Sequence, residues 1–408
     1  MQNQPLYDLL LKGGRVIDPA NNLDGRADVA IRDSKVALVA PDIARSHAGE
    51  TVDVSGLIVT PGLIDIHMHA YHTRLPDSIS VMPDFHSFRS GVTTVVDTGS
   101  SGASQFRHFK ETVIDQAKTR VLAFINIVKS GMIGPFEHDL AEMDVELAAA
   151  TVADNPNDCV GIKTAHYWTR LPFDSQHPPW AAVERAVQAG VLCNKPAMMD
   201  FWPRPERPYD ELLLQKLRPG DIHTHVYAQQ FPLQDENRRP RAFLAEARKR
   251  GIIFDVGHGS ASFWYRQAIP CIDHGFGPDS ISTDLHTGNV NGFVFDMLTT
   301  VSKFLNMGLS LQEVIYRSTV TPAREICRPE LGTLSVGAEA DVAVLKLQEG
   351  EFPLIDCGKA RLNGTKKLEC VMTLRAGRIV YNPQGLNLPE WTDAPPEYWT
   401  IQQSPTAP

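Results

Sequence analysis

The chain has 408 residues, which allows two or three domains and a sizeable buried core. Hydrophobic residues make up 43% and charged residues 21% of it, a composition typical of folded globular proteins that excludes the disordered and fibrous classes. The formal net charge of -9, with no basic run longer than 248–250, argues against a nucleic-acid-binding surface.

Other global features of the sequence indicate the cellular compartment of the protein. No apolar run has the roughly 18 residues of a membrane span, and the N-terminus lacks the basic and apolar regions of a signal peptide. The six cysteines are scattered without a Cys-x-x-Cys pair, which favours free thiols in a reducing compartment. We expect a cytoplasmic protein, unless a signal peptide has been removed, that binds no nucleic acid or membrane. We also expect a homo-oligomer.

Short β segments are predicted at both ends of the chain. Alternating apolar residues with frequent turn residues occupy 7–60, and a matching pattern recurs at 332–347 and 366–381. We expect the two ends to pair in one small β-sandwich domain, comprising residues 1–60 and 328–385, with 386–408 as a C-terminal tail.

The middle of the chain, residues 61–327, alternates short apolar strands with amphipathic helical stretches, which is typical of a parallel sheet built from βα units. Eight strands are predicted, at 62–69, 92–99, 120–128, 160–167, 195–202, 221–228, 251–259 and 280–288. The predicted fold class is therefore α/β, with a closed (β/α)8 TIM barrel.

Two histidines end the first of these strands. His67 and His69 point to the same side because side chains alternate along a strand, so their imidazoles could share a metal ion. Taken alone, the pair is equally well explained as ordinary polar residues at a strand end.

Ionisable residues also end most of the later strands, where barrel enzymes place their active sites. They are Lys163, Asp200, His223, His225, His258, Asp284 and His286. Lys163 interrupts an apolar strand, where an unpaired ammonium is costly or has a lowered pKa. Either the lysine pairs with an aspartate at the barrel mouth, or its amine carries a carbamate that bridges two metal ions.

The pattern resembles the amidohydrolase superfamily along nearly the whole chain. The resemblance rests on PGLIDIHMH, GIKTAHY, THVY, STDLH and TPAREICRPELGTLSVGAEADVAVL, in this order. It implies a metal-dependent (β/α)8 barrel beside a β-sandwich. DVGHGSASF and ISTDLHTGNVNG are similar to the branch of dihydroorotase-like proteins, D-aminoacylases and relatives that act on N-acyl amino acids or acylated hydroxy acids.

The resemblance also implies a metal centre. Its predicted ligands are His67, His69, carboxylated Lys163, His225 and Asp284, holding two Zn²⁺ ions. Such a centre lowers the pKa of a bridging water and so supplies hydroxide, whose proton Asp284 would pass to the leaving group.

Asp200 is the one departure from the family pattern, since binuclear members usually carry a histidine at the end of strand five. A carboxylate can also bind zinc, although oxygen ligands favour Mn²⁺ or Mg²⁺ more than imidazole does. We keep Asp200 as a ligand, against the alternative that it only hydrogen-bonds a neighbour such as His223.

The remaining candidates are weaker. His223, His258 and His286 could orient a ligand or touch the substrate. His166 and Tyr167 could donate to a substrate carbonyl, although a histidine and a tyrosine in a loop more often serve packing. Loop arginines at 170, 204 and 207 could hold a substrate carboxylate but are usually only solvated.

We predict a hydrolase that cleaves an amide or ester bond of a small molecule, namely an N-acyl amino acid, an acylated hydroxy acid or a related substrate. One alternative is a deaminase of a nucleobase-like cyclic amidine, which in this superfamily typically uses one metal and no bridging lysine. The other is a non-catalytic relative that has kept the fold for assembly.

Overall fold

The computed structural model describes residues 5–72, 78–132 and 134–400, in which the chain forms two β-sheets and a set of mostly short helices. The strands are β1 (Tyr7–Asp18), β2 (Leu23–Arg32), β3 (Lys35–Ala40), β4 (Ala48–Asp53), β5 (Ile58–Pro61), β6 (Leu63–Met68), β7 (Val92–Gly102), β8 (Arg120–Asn126), β9 (Cys159–Thr164), β10 (Ala197–Met199), β11 (Ile222–His223), β12 (Ile253–Phe254), β13 (Val342–Ile355), β14 (Arg361–Arg375) and β15 (Arg378–Tyr381). The helices are α1 (Pro83–Ser87), α2 (Phe106–Phe109), α3 (Val145–Asp154), α4 (Ala181–Cys193), α5 (Tyr209–Glu211), α6 (Ala242–Lys249), α7 (Tyr265–Asp273), α8 (Met297–Asn306), α9 (Leu311–Tyr316) and α10 (Val320–Glu325).

One sheet combines strands from both ends of the chain. Its order is β15-β14-β13-β5-β1-β2-β3, with β4 paired to β1. The two ends meet where β5 pairs antiparallel with β13, so that Val59 lies opposite Val344. Both valines are buried in the apolar core of this sheet. The last eight residues of the predicted tail, 401–408, and residues 1–4 of the predicted sandwich lie outside the described residues.

The other sheet is parallel and takes its strands in chain order, from β6 to β12. Each of β6 to β11 contributes at least one residue to a single interior apolar cluster, which α10 and the residues after it also join. The sheet is curled, because the segment from Ser280 to Leu285 forms bridges near both of its edges. The fold is mixed α/β, as the sequence predicts.

The structure differs from the prediction of eight regular strands. Seven strands are present, and the predicted eighth, 280–288, forms only isolated parallel bridges, from Ser280 to Asp255 after β12 and from Leu285 to Met68 on β6. This segment therefore contacts both edges of the parallel sheet. The last three strands, β10 to β12, are also shorter than predicted.

Left-handed backbone conformations limit β11, β12 and the predicted eighth strand. His225 has φ 63° and Asp284 has φ 50°, and Gly257 has φ 44°. A strand cannot continue through such residues, and for a residue other than glycine the conformation costs on the order of 1 to 3 kcal/mol. Asp and His are among the residues that tolerate this region best.

Two further global features are visible. All six cysteines are free. Among the described residues, no helix combines the length and apolar character needed to cross a bilayer.

Candidate metal centre

One cavity lies at the carboxyl ends of the parallel strands and has a volume of about 280 Å³. All six predicted metal ligands line it: His67, His69, Lys163, Asp200, His225 and Asp284. They follow five different segments of the chain, so the curled sheet brings them together. All six are buried, with at most 9% of each residue exposed.

Three of these residues form the tightest group. One ring nitrogen from His67, one from His225 and one carboxylate oxygen of Asp284 all lie within 4.8 Å of one another. His69 joins the group because its Nε2 lies 3.0 Å from Oδ1 of Asp284. His67 Nε2 lies 3.6 Å from the same oxygen. These separations fit ligand atoms arranged around a common ion.

The three imidazoles share one orientation. Each uses Nδ1 for a hydrogen bond away from the group: His67 to Oγ1 of Thr224 at 2.8 Å, His69 to Oγ of Ser100 at 2.8 Å, and His225 to the carbonyl of Gly257 at 2.6 Å. This leaves Nε2 free as a metal-binding lone pair wherever Nδ1 carries the proton, as metal-ligating histidines usually do.

Burial, reinforced by the nearby charge of Lys163, holds the pKa of His67 well below its usual value. The ring is therefore neutral at physiological pH. Neutral imidazole is the form that binds a metal ion.

Asp284 is held at the centre of the site by its backbone. Its amide nitrogen lies 2.6 Å from the carbonyl of His67, and its own carbonyl accepts from Nδ2 of Asn289 at 2.6 Å. Gly259 passes so close that an added Cβ would lie 2.5 Å from Oδ2 of Asp284. Burial alone would raise the pKa of Asp284, but the hydrogen bond and charge of His69 outweigh it and lower the pKa. The group is therefore a carboxylate.

Lys163 reaches the cavity from β9. Gly99, at φ +83°, leaves room for its stem, because an added Cβ there would lie 2.9 Å from Cγ of Lys163. Burial lowers the pKa of the lysine, although the charges of Asp200 and Asp284 partly oppose this. Within the described residues its amine has no hydrogen-bond partner. A neutral amine is the species that reacts with carbon dioxide.

Asp200 follows β10, and its partner is not the predicted His223. Nδ1 of His166 lies 2.7 Å from Oδ2 of Asp200, and Nε2 of His225 lies 3.7 Å from that oxygen. Burial would raise the pKa of Asp200, yet the charges of His166 and His225 lower it below its usual value. Its carboxylate lines the cavity and is available as a ligand.

The weaker candidates separate into those that line the cavity and those that do not. His166 and His286 line the cavity. Tyr167 is buried and donates to Oδ1 of Asn126 at 3.1 Å. His223 packs among Tyr209, Phe231 and Phe254, and both its ring nitrogens are buried without a partner among the described residues. His258 is buried with Nε2 2.6 Å from Nζ of Lys303. The loop arginines 170, 204 and 207 do not line this cavity.

Other residues at the site are not apparent from sequence patterns. Trp202, Gln229 and Gln230 line the cavity from loops. Thr224 and Ser100 support the histidines, and such common hydroxyl residues carry no sequence signal. Asp255 and Asp97 are also buried, and they could have been noticed in the sequence, because each is a carboxylate in a largely apolar predicted strand.

The donor set fits a divalent transition metal. It combines three imidazoles that share one orientation with two carboxylates and one buried amine, ligands that suit zinc and its neighbours. Wherever Nδ1 of His69 carries the single proton of a neutral ring, the lone pairs of His69 and Asp284 face each other at 3.0 Å unless a cation lies between them.

Comparisons with known proteins identify relatives along most of the chain. No family model matches the sequence. The chain is 30% identical to a deacetylase from Enterococcus faecalis over 386 residues, covering 92% of this chain and 100% of that protein. It is 30% identical to a D-aminoacylase from Alcaligenes xylosoxydans xylosoxydans over 301 residues, covering 70% of this chain and 58% of that protein.

Two solved structures are similar along most of the chain. A crystal structure of an adenine deaminase superposes with a TM-score of 0.83 at 29% identity, covering 92% of this chain and 100% of that one. A crystal structure of a dihydroorotase gives a TM-score of 0.79 at 27% identity, covering 92% of this chain and 99% of that one.

Proposed function

The chain belongs to the amidohydrolase superfamily, in the branch of the dihydroorotases and D-aminoacylases, and we propose that it hydrolyses an N-acyl amino acid or an acylated hydroxy acid. It is a metal-dependent hydrolase of amide bonds, in keeping with relatives named deacetylase and D-aminoacylase. The observation that carries the proposal is the cluster of His67, His225 and Asp284, whose ligand atoms lie within 4.8 Å of one another.

We propose that two Zn²⁺ ions bind among the six cavity residues, with Lys163 present as its carbamate. The buried amine of Lys163, whose pKa burial lowers, supports the carbamate, and the carboxylate of Asp200 supports a place for the second ion. When bound, the ions supply Lewis acidity, which polarises the substrate carbonyl and lowers the pKa of a coordinated water.

Asp284 is the proposed catalytic residue. Its carboxylate accepts a proton from the attacking water and delivers it to the leaving amine or alcohol. The lowered pKa of Asp284 keeps it ionised, and its fixed backbone holds it beside His69 and His67. A base must lie within hydrogen-bond reach of the proton it takes, and Asp284 lines the cavity that the substrate would enter.

The cavity suits a small acylated substrate. Its volume of about 280 Å³ is near the lower end of ordinary small-molecule sites. Met132, Ile79 and Trp202 provide apolar surface for an acyl group, while Gln229 and Ser262 offer polar contacts. His166 lies beside Asp200 and Trp202, where it can donate to a substrate oxygen.

A substrate screen tests the proposal. Metal-loaded protein is assayed with N-acyl amino acids, acyl hydroxy-acid esters, cyclic imides and small dipeptides, with Asp284→Asn as the matched inactive control. The proposal is supported if the wild type hydrolyses an N-acyl amino acid or an acylated hydroxy acid and the Asp284→Asn variant does not. Turnover confined to cyclic imides would place the chain with a different substrate class.

The similarity to the adenine deaminase structure supports a second candidate, deamination of a nucleobase-like ring. Lys163 on the cavity wall argues against it, because the deaminases of this superfamily typically use one metal and no bridging lysine. Release of ammonia from purines or pyrimidines by protein with one metal per chain would favour this second function.

We further propose that residues 61–327 form a closed (β/α)8 barrel and that 1–60 and 328–385 form a β-sandwich. The bridges of Ser280 and Leu285 to opposite edges of the parallel sheet support the closure. The pairing of β5 with β13 supports the joint domain. A cytoplasmic homo-oligomer that binds neither nucleic acid nor membranes remains our expectation.

A further inference from the structure

We propose that Asp255 and Thr224 are positioning residues that fix the tautomer and orientation of His67, so that its Nε2 faces the metal ion. This inference rests on the metal centre proposed above. Nδ1 of His67 lies 2.8 Å from Oγ1 of Thr224, and that hydroxyl lies 2.7 Å from Oδ2 of Asp255. The three groups form a continuous buried chain.

The direction of the hydrogen bonds follows from counting protons. A threonine hydroxyl has one hydrogen, and Thr224 donates it to the carboxylate of Asp255. Its oxygen can then only accept from the ring of His67. Nδ1 must therefore carry the proton of the neutral imidazole, which leaves the lone pair on Nε2, 3.6 Å from Oδ1 of Asp284.

The carboxylate of Asp255 is also hydrogen-bonded to the segments that hold the other proposed ligands. It accepts from Oγ of Ser280 at 2.8 Å and from Oγ of Ser282 at 2.7 Å, both on the segment that carries Asp284. Ser282 in turn accepts from the amide of Gly257. The carbonyl of Gly257 holds Nδ1 of His225 at 2.6 Å. One buried side chain thus connects the segments behind three of the proposed ligands.

The negative charge of Asp255 indicates a role other than packing. Asp255 has no solvent exposure, and its Oδ2 lies 3.7 Å from Nδ1 of the neutral His67 ring. A buried carboxylate with hydroxyl donors alone is costly, so an apolar residue would serve packing better. An anion behind the imidazole makes the ring a more basic ligand, and such supporting groups typically change metal affinity about 10–100-fold.

The test compares the Zn²⁺ affinity of the stripped protein and its variants by competition with a chelating indicator. Thr224→Val keeps the shape of the side chain and removes the hydroxyl, and Thr224→Ser restores the hydroxyl. Thr373→Val is the matched control, because Thr373 is equally buried and donates one hydrogen bond, to the carbonyl of Phe88 far from the site. The Co²⁺-substituted proteins provide a second readout through their visible spectra.

Thr224→Val is expected to weaken the affinity about 10–100-fold and to alter the Co²⁺ spectrum, while Thr224→Ser and Thr373→Val stay within about threefold of wild type. Equal affinity in wild type and Thr224→Val, or an equal loss in Thr224→Ser, would overturn the inference. If Thr224→Val does not fold, Asp255→Asn is measured in its place. A loss of Zn²⁺ affinity in Asp255→Asn supports the proposed hydrogen-bonded series from Asp255 through Thr224 to His67, and an unchanged affinity overturns it. Failure of the wild type to bind any ion would instead overturn the proposed metal centre.

Discussion

Nε2 of His69 lies 3.0 Å from Oδ1 of Asp284, and both residues are buried. Nδ1 of His69 is engaged with the hydroxyl of Ser100 at 2.8 Å. When that nitrogen carries the single hydrogen of a neutral ring, two lone pairs face each other across the 3.0 Å gap. A cation between them, either a proton or a metal ion, relieves the repulsion. Protons and metal ions therefore compete for this pair.

Replacement of Asp284 by asparagine removes the base without changing the shape of the side chain. We expect kcat to fall about 10²–10⁴-fold, because that is the usual contribution of a general base. The neutral amide cannot take the proton of the attacking water. Steady-state kinetics on a substrate found by the screen, with the metal content measured in parallel, provides the check. Unchanged hydrolysis in Asp284→Asn would rule out the assigned role.

Gly259→Ala tests the close packing behind the same carboxylate. The added Cβ would lie 2.5 Å from Oδ2 of Asp284, so the carboxylate must shift, and we expect kcat to fall at least about 10²-fold. Gly275→Ala is the matched control, because Gly275 has φ +82° and an added Cβ there meets nothing within 4 Å. Backbone strain should destabilise both variants by a similar amount, about 1 kcal/mol. Equal activity of the two variants would show that the position of Asp284 is not critical.

Lys163→Met tests the carbamate. In protein exposed to ¹³C-labelled bicarbonate and metal, we expect a carbamate carbon resonance that this variant lacks, together with loss of one of the two bound ions. The reason is that the neutral amine is the reactive form and that burial lowers the pKa of Lys163. Lys195→Met, which changes a lysine outside the site, should keep both the resonance and the ions. A resonance that persists in Lys163→Met would assign the carbamate elsewhere.

Sequence patterns predicted the organisation of the fold because alternation and turn residues set the strands. The strand 120–126 lies within the predicted 120–128, and all six predicted ligands reach one cavity. The left-handed backbone at His225 and Asp284 could not be predicted, because it depends on packing against distant segments. The pairing of Asp200 with His166, in place of His223, likewise depends on loop geometry that periodicity does not encode.

Lys303 provides a pH-dependent prediction away from the proposed ligands. Burial lowers its pKa from 10.5 to about 7 in the folded protein. Between these values the unfolded chain binds more protons than the folded one, so the free energy of unfolding rises with pH across this window. Below about pH 7 the cost of burying the charge is fully present.

Lys303→Met removes this titration, and the neighbouring His258, whose pKa burial holds well below its usual value, does not titrate across this window. The unfolding free energy of wild type relative to Lys303→Met should therefore rise by about 2 kcal/mol or more between about pH 7 and about pH 9. Urea unfolding of the metal-free proteins at several pH values measures it. A difference that does not vary with pH would mean that Lys303 keeps its ordinary pKa.

The most direct test of the account is a calorimetric titration of metal-free protein with Zn²⁺ in the presence of bicarbonate. We expect two ions per chain in the wild type, one in Asp200→Ala, and none with high affinity when His67 and His69 are both replaced by alanine. A wild-type chain that binds no ion, or a His67→Ala, His69→Ala double variant that still binds two, would contradict the proposed metal centre.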